Sequence, residues 1–222
     1  MAQLRLKSEH YLPQETITSL EGWLCLGFVN TFHPRYGRHV RDALTGYADL
    51  VTWNRSIGML TEAQEQDFLQ AANDHPAEAL RTFARAIMLR ETIYRVFSAV
   101  GAGSAPQSED LSVLHGAYVE AMAHASLSPT AREFSWEWGV GEEPGRREGL
   151  GPLLWPVALS AIELLTSAKE WERIKECPGC GWLFLDTSKT GNRRWCSMDV
   201  CGSRAKMRRQ YARKRADVRS AS

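Results

Sequence analysis

Cys177-Pro-Gly-Cys180-Gly-Trp182-Leu-Phe184-Leu-Asp186 opens a stretch that closes, after a polar turn, on Arg193-Arg194-Trp195-Cys196-Ser197-Met-Asp199-Val-Cys201. The four cysteines follow C-x2-C-x15-C-x4-C, the two-pair rhythm of a zinc site. The glycines on either side of Cys180 let the backbone turn tightly around an ion. Trp182 to Asp186 alternates like a strand, Gly191-Asn192 fits a turn, and Arg193 to Cys196 is the expected second strand. Ser197 is a good N-cap for a helix running to about Arg215, with Asp199 in its first turn. The resulting order is knuckle, β-hairpin and helix, a treble-clef-like element. Four thiolates complete a tetrahedral Zn2+ shell and leave no position for water, so one structural zinc on Cys177, Cys180, Cys196 and Cys201 is the expectation. The competing reading, four buried free thiols, does not explain the spacing.

The charge divides around this element. Residues 189–222 hold eleven Lys and Arg against Asp199 and Asp217, a net +9, while the chain as a whole carries only +1. The other residues therefore carry −8. A tetrathiolate zinc contributes −2, which leaves about +7 on the basic end. At 100° per residue from Cys201, Cys201, Ala205 and Ala212 face the metal and hairpin, and Lys206, Arg209 and Arg213 form a stripe facing away. Arg204, Arg208 and Arg215 border the metal side. With Arg193 and Arg194 on the hairpin, this is a surface suited to following phosphates. The plain alternative is a solvated charged helix.

The rest of the chain reads as helical. Its 222 residues give room for one domain and a small module, and 44% apolar with 24% charged residues is globular composition. Expected helices cover Thr45 to Ile57 with Gly58 ending it, a capping-box start at Thr61-x-x-Gln64, a long helix from Pro76, Glu109 to Ala123, and Pro156 to about Ile174. Phe134 to Trp138 alternates as a strand with Leu127 to Pro129 as its partner, and Gly139 to Gly151 reads as a loop. The fold class is thus mainly α with a small β element: a helical domain over 1–174 that senses or dimerises, a zinc finger over 175–216, and a short tail over 217–222. The long helix carries an apolar stripe at Leu80, Phe83, Ala84, Ile87, Tyr94 and Phe97, interrupted by Arg90 and Glu91. A charge on such a face is paired or bound. One reading is a cavity for a small acidic ligand formed by Asn30, Thr31, Arg90 and Glu91, with His33 or Arg35 nearby. The other is an internal salt-bridge network that fixes packing.

These residues resemble a known family. Cys177 to Arg215 is similar to the CGNR-type zinc finger through C-P-x-C-G-W-x-F-x-D, the R-R-W-C-S-M run at 193–198 and C-G-x-R-x-K at 201–206, with Ser203 where the family has Asn. The N-terminal part resembles the ABATE domain through Leu24-Cys-Leu-Gly27-Phe-Val-Asn30-Thr31, the Leu44 to Trp53 block and Leu89-Arg90-Glu91-x-x-Tyr94-Arg95-x-Phe97, with Gly27 where the family often has Asp. The resemblance implies a bacterial stress-induced transcription regulator.

Other classes fare less well. No G-x-S-x-G, H-E-x-x-H, P-loop or dinucleotide glycine fingerprint is present, the six histidines form no ligand pair, and Cys25 sits in the apolar context Trp23-Leu-Cys-Leu. An enzyme is not expected. The start of the chain lacks the apolar core of a secretory signal, and the longest apolar run, Leu153 to Leu165, is too short to cross a bilayer. The expectation is a cytoplasmic, zinc-containing DNA-binding regulator with a ligand-sensing domain, able to form a homodimer. The alternative is an interaction module whose basic finger docks an acidic protein.

Overall fold

The apolar run ending at Leu165 becomes α6 (Trp155–Thr166), entered through one 3-10 turn at Gly151–Leu154. Pro156 fits the first turn because no backbone N–H is needed there. Trp155 to Ala161 are all buried, and α6 packs against α1 (Leu24–Val29), itself fully buried. The computed structural model describes residues 23–36, 40–129, 134–138, 149–167 and 169–220. The chain's first residues, His39, most of the expected loop before Gly151 and the last two residues of the tail lie outside these.

The other helices are α2 (Tyr47–Ser56), α3 (Glu62–Asp74), α4 (Pro76–Gly101) and α5 (Ser108–Ala123); α5 packs on α6, and α4 packs on α1, α2, α3 and α5. Local chemistry sets their ends. Gly58 adopts φ +79° just after α2. The Thr61 hydroxyl accepts from the Gln64 N–H, and the Gln64 side chain accepts from the Thr61 N–H, closing the capping box of α3. Pro76 opens α4, which at 26 residues is about 39 Å long. The mostly helical class with small sheets is therefore what the chain adopts.

Two expectations about the helical body need correction, and one about its strands holds. The buried face of α4 runs through Ala79, Thr82, Ala86, Leu89, Arg90, Ile93, Val96 and Phe97, while Leu80 is 70% exposed. The stripe is turned by about one residue from the expected one, because α1, α2, α3 and α5 all press on α4 and its apolar positions are shared among them. Helix α6 stops at Thr166, and a 3-10 turn at Trp171–Arg173 leads into β3 (Ile174–Glu176). Leu127 to Pro129 does pair with Phe134 to Trp138, within the antiparallel hairpin β1 (Ala125–Pro129) and β2 (Phe134–Trp138).

The second sheet is where the chain's two parts meet. β3 pairs antiparallel with β4 (Leu183–Leu185), Ile174 opposite Leu185 and Glu176 opposite Leu183. The knuckle is the connection between these strands. Arg193 to Cys196, expected as a strand, is a loop that bends at Trp195 and Cys196 instead. β4 is buried on both faces: Leu183 and Leu185 join Ile174 in the helical core, whereas Phe184 turns with Trp182 towards the cysteines. Period-two alternation thus places one strand between two cores. Gly101, at the end of α4, permits the approach, since a Cβ there would lie 3.3 Å from the Ile174 carbonyl oxygen.

Candidate metal centre and basic helix

The knuckle forms because the Cys177 carbonyl accepts from both the Cys180 and Gly181 N–H groups, at 3.2 and 2.8 Å. Gly181 sits at φ +75°, which a Cβ would strain. Cys196 comes from the loop after β4, and Cys201 from a π-helical turn, Met198–Gly202. The Ser197 hydroxyl caps that turn by accepting from the Val200 N–H, as its sequence position leads one to expect. Ser203 Oγ donates to the Met198 carbonyl at 3.2 Å.

The four sulfurs of Cys177, Cys180, Cys196 and Cys201 lie within 4.8 Å of one another. Cys196 Sγ is 3.5 Å from Cys180 Sγ and 3.7 Å from Cys201 Sγ. Zn–S bonds of about 2.3 Å in a tetrahedron require edges of about 3.8 Å, so the set fits Zn2+. The electrostatics agree. Hydrogen bonds from Cys180 and Cys196 hold the Cys177 thiol far below its ordinary range. The same sharing pushes Cys180 up and carries Cys196 to about 12, while burial raises Cys201. Four thiolates cannot coexist in this space without a cation, which is what a single structural zinc supplies. Cys25 is different: it is wholly buried in the helical core, and burial pushes its thiol up to about 12.

Asp186 holds the loop that returns to the second cysteine pair. Its carboxylate accepts from Lys175 Nζ at 2.6 Å, the Ser188 N–H at 3.0 Å and the Arg193 N–H at 2.8 Å. Burial opposes its charge, but these donors outweigh it and keep the carboxyl below the usual range. The residue stood in the sequence motif without a role; its partners lie in the opposite strand and loop, which spacing alone does not reveal.

The helical body grips the knuckle directly. Asn30 donates to the Leu183 carbonyl at 2.8 Å and accepts from the Leu183 N–H at 3.1 Å. The Arg35 N–H donates to the Cys180 carbonyl at 2.8 Å. His33 meets Trp182 edge to face at 4.6 Å, and burial lowers its pKa. From β3, Glu176 accepts from the Tyr36, Tyr94 and Ser98 hydroxyls.

Arg90 and Glu91, the charges that interrupt the α4 stripe, are paired inside the chain. The Arg90 guanidinium reaches both Asp42 carboxylate oxygens at 2.6 and 2.7 Å, Thr31 Oγ1 at 3.2 Å and Glu91 Oε1 at 3.0 Å. Glu91 also accepts from Arg35 at 2.7 Å, and Arg35 lies over the Tyr94 ring at 3.5 Å. Of the four residues proposed to form a ligand cavity, Thr31, Arg90 and Glu91 are brought together. Asn30 turns to β4 instead.

Helix α7 (Ser203–Ser220) leaves the metal centre and projects. From Lys206 to Lys214 every residue is exposed, Ala212 included, so the expected metal-facing arc ends at Ala205. Arg204, Lys206, Arg208, Arg209, Arg213 and Lys214 make no ion pair with a described residue. Arg194 is exposed and stacks on Trp195 at 5.1 Å. Arg193, also expected on the nucleic-acid surface, is engaged within the finger. Its guanidinium donates to the Trp195 and Cys196 carbonyls and lies over Phe184 at 4.9 Å, so it braces the loop that presents Cys196.

A helical body clasping a four-cysteine finger from which a basic helix projects defines a zinc-finger protein. Two family models match the chain: ABATE, described as "Putative stress-induced transcription regulator", over residues 22–168, and the CGNR zinc finger over 173–214. The chain belongs to the ABATE family and carries a CGNR zinc finger. A comparison with curated proteins finds no match. Among the described residues, no helix is long and apolar enough to cross a membrane.

Proposed function

We propose that the protein is a DNA-binding transcription regulator that engages the phosphate backbone with α7 and Arg194. The observation that carries this reading is the state of residues 204–214: six Lys and Arg, no Asp or Glu, and exposure throughout apart from Ala205. A helix exposed from Lys206 to Lys214, whose cations form no ion pair with a described residue, has no structural use for that charge. Phosphates neutralise it with release of counterions. The family description points to stress as the regulated response. In this reading the protein acts by binding and catalyses nothing.

A second reading has its own support. Met207 and Tyr211 on the same helix are 53% and 65% exposed, the apolar centre that docking onto an acidic protein would use. Sensing of a small ligand has less support, because Arg90 already has protein partners on both terminal nitrogens. The deciding test is fluorescence anisotropy of the zinc-loaded protein on a pool of duplex DNA over a salt series. A log–log slope between about −3.6 and −5.4 is expected from four to six neutralised phosphates. A slope shallower than about −1, or no binding at low salt, overturns the DNA reading and favours a protein partner.

A further inference from the structure

A cleft of about 230 Å³ lies between the zinc knuckle and the first turns of α7. Its floor is Gly179, Trp195 and Cys201; its walls are Arg194 from the loop and Arg204, Arg208 and Arg209 from the helix. Among the described residues, no carboxylate lines it. The arrangement follows from the fold. Arg204 and Arg208 are one helical turn apart and stand side by side on the face that begins at Cys201. Trp195, seated against the knuckle, holds Arg194 opposite them.

The tetrathiolate zinc beside the cleft carries −2, and four guanidinium groups exceed it by two charges. Neutralising the metal centre therefore does not account for all of them. None makes an ion pair with a described residue, and crowding four unpaired cations on one cavity costs energy that an anion would recover. Guanidinium groups suit phosphate oxygens, to which they donate two parallel hydrogen bonds.

We infer that this cleft seats a single backbone phosphodiester of nucleic acid, held jointly by Arg204 and Arg208 with Arg194 opposite. The inference rests on the DNA-binding reading and adds a division of labour. Lys206 and Arg213, outside the cleft, meet flanking phosphates one each, whereas the cleft arginines share one. Arg209 lines the cleft, and so does not belong with Lys206 and Arg213 as an outward stripe.

Sharing has a measurable signature. Anisotropy salt series are run on the zinc-loaded full chain, on Arg204→Ala, Arg208→Ala and their double variant, and on Lys206→Ala, Arg213→Ala and theirs. Zinc content of one per chain checks that each variant is folded. If Arg204 and Arg208 hold one phosphate, their double variant loses about 0.9 from the salt slope, or about eightfold in affinity at 0.1 M salt. The Lys206/Arg213 double variant loses about twice that slope, because two phosphates go. A cleft double variant with wild-type slope, or with an additive loss of about 1.8, overturns the shared seat while leaving DNA binding intact. A wild-type chain that fails to bind duplex, yet is protected against heat by millimolar inorganic phosphate through Arg204 and Arg208, overturns the nucleic-acid assignment itself. Failure of the seat and failure of the DNA reading are thereby told apart.

Discussion

Asn30 and Gly181 show how single residues join the helical body to the metal centre. The Asn30 amide satisfies both backbone groups of Leu183, as a neighbouring strand would, although 153 positions separate the two residues. Gly181 is needed for two reasons that act together. Its φ of +75° disfavours a side chain, and a Cβ built there would stand 2.7 Å from Arg35 Cβ, in the segment that donates to the Cys180 carbonyl. Gly191 provides the control, with φ +64° and nothing within 4 Å. Backbone strain alone costs about 1–3 kcal/mol, so both Gly181→Ala and Gly191→Ala are expected to destabilise. Gly181→Ala is expected to cost more, since the 33–36 segment must also move. Urea denaturation at saturating zinc measures both, and equal losses would remove the steric part of the account.

Helices α4 and α5 are tied at their surface by Arg95, which donates to Asp110 at 2.5 to 3.0 Å. Asp110 also lies in the first turn of α5, where a negative charge suits the helix dipole. The hydrogen bonds from Arg95 lower the Asp110 pKa, outweighing its burial. A carboxyl depressed on folding stabilises the native state above its unfolded pKa of about 3.9 and loses that contribution as pH falls towards the folded value. Asp110→Asn is therefore expected to lose about 1–3 kcal/mol at neutral pH, with the gap to wild type closing below about pH 4. Thermal melts from pH 7 to pH 3 test this; a gap that persists in acid would assign the loss to packing. Neither this pair nor the face α4 buries was legible in the sequence, and the reason is common to both. The starts of α3 and α4 and the cap at Ser197 could be read because their determinants lie within a few residues. The α4 face depends on four helices at once, and β3 is three residues, Ile-Lys-Glu, whose partner is fixed by the knuckle turn. The four cysteines were readable because their spacing records the metal. The bracing contacts of Arg193 are not legible because carbonyl acceptors leave no mark in sequence, and Arg90 signals a buried charge without naming Asp42, 48 positions away.

For the molecule as a whole, the position of β4 between two cores decides how metal and fold depend on each other. Leu183 and Leu185 complete the helical core, and Phe184 and Trp182 complete the metal core. The strand is held in register by a knuckle whose cysteines bind the ion. A finger joined by a linker could lose its zinc and unfold alone. Here, unfolding the knuckle releases β3 and β4, and with them Ile174, Leu183 and Leu185 from the body. Burying three such side chains is worth at least about 4 kcal/mol, which for a chain of this size corresponds to a fall of about 8–16 °C in the melting temperature. Stripping zinc with a chelator, or substituting Cys180→Ser, is accordingly expected to lower one cooperative transition of the entire chain. Calorimetry separates the possibilities: a low-temperature loss of the finger beside an unshifted body transition would mean that the strand is shared in space but not in stability. If a single lowered transition is found, zinc also sets the orientation of α7, because the basic helix is anchored through Cys201 to the centre that Asn30 and Arg35 hold against the body. The arginines of α7 would then be rigid with respect to the acidic domain, whose charge of about −8 would repel the same backbone that the proposed function has the helix attract. On the proposed DNA-binding reading, such opposition would restrict the approach to the side from which α7 projects.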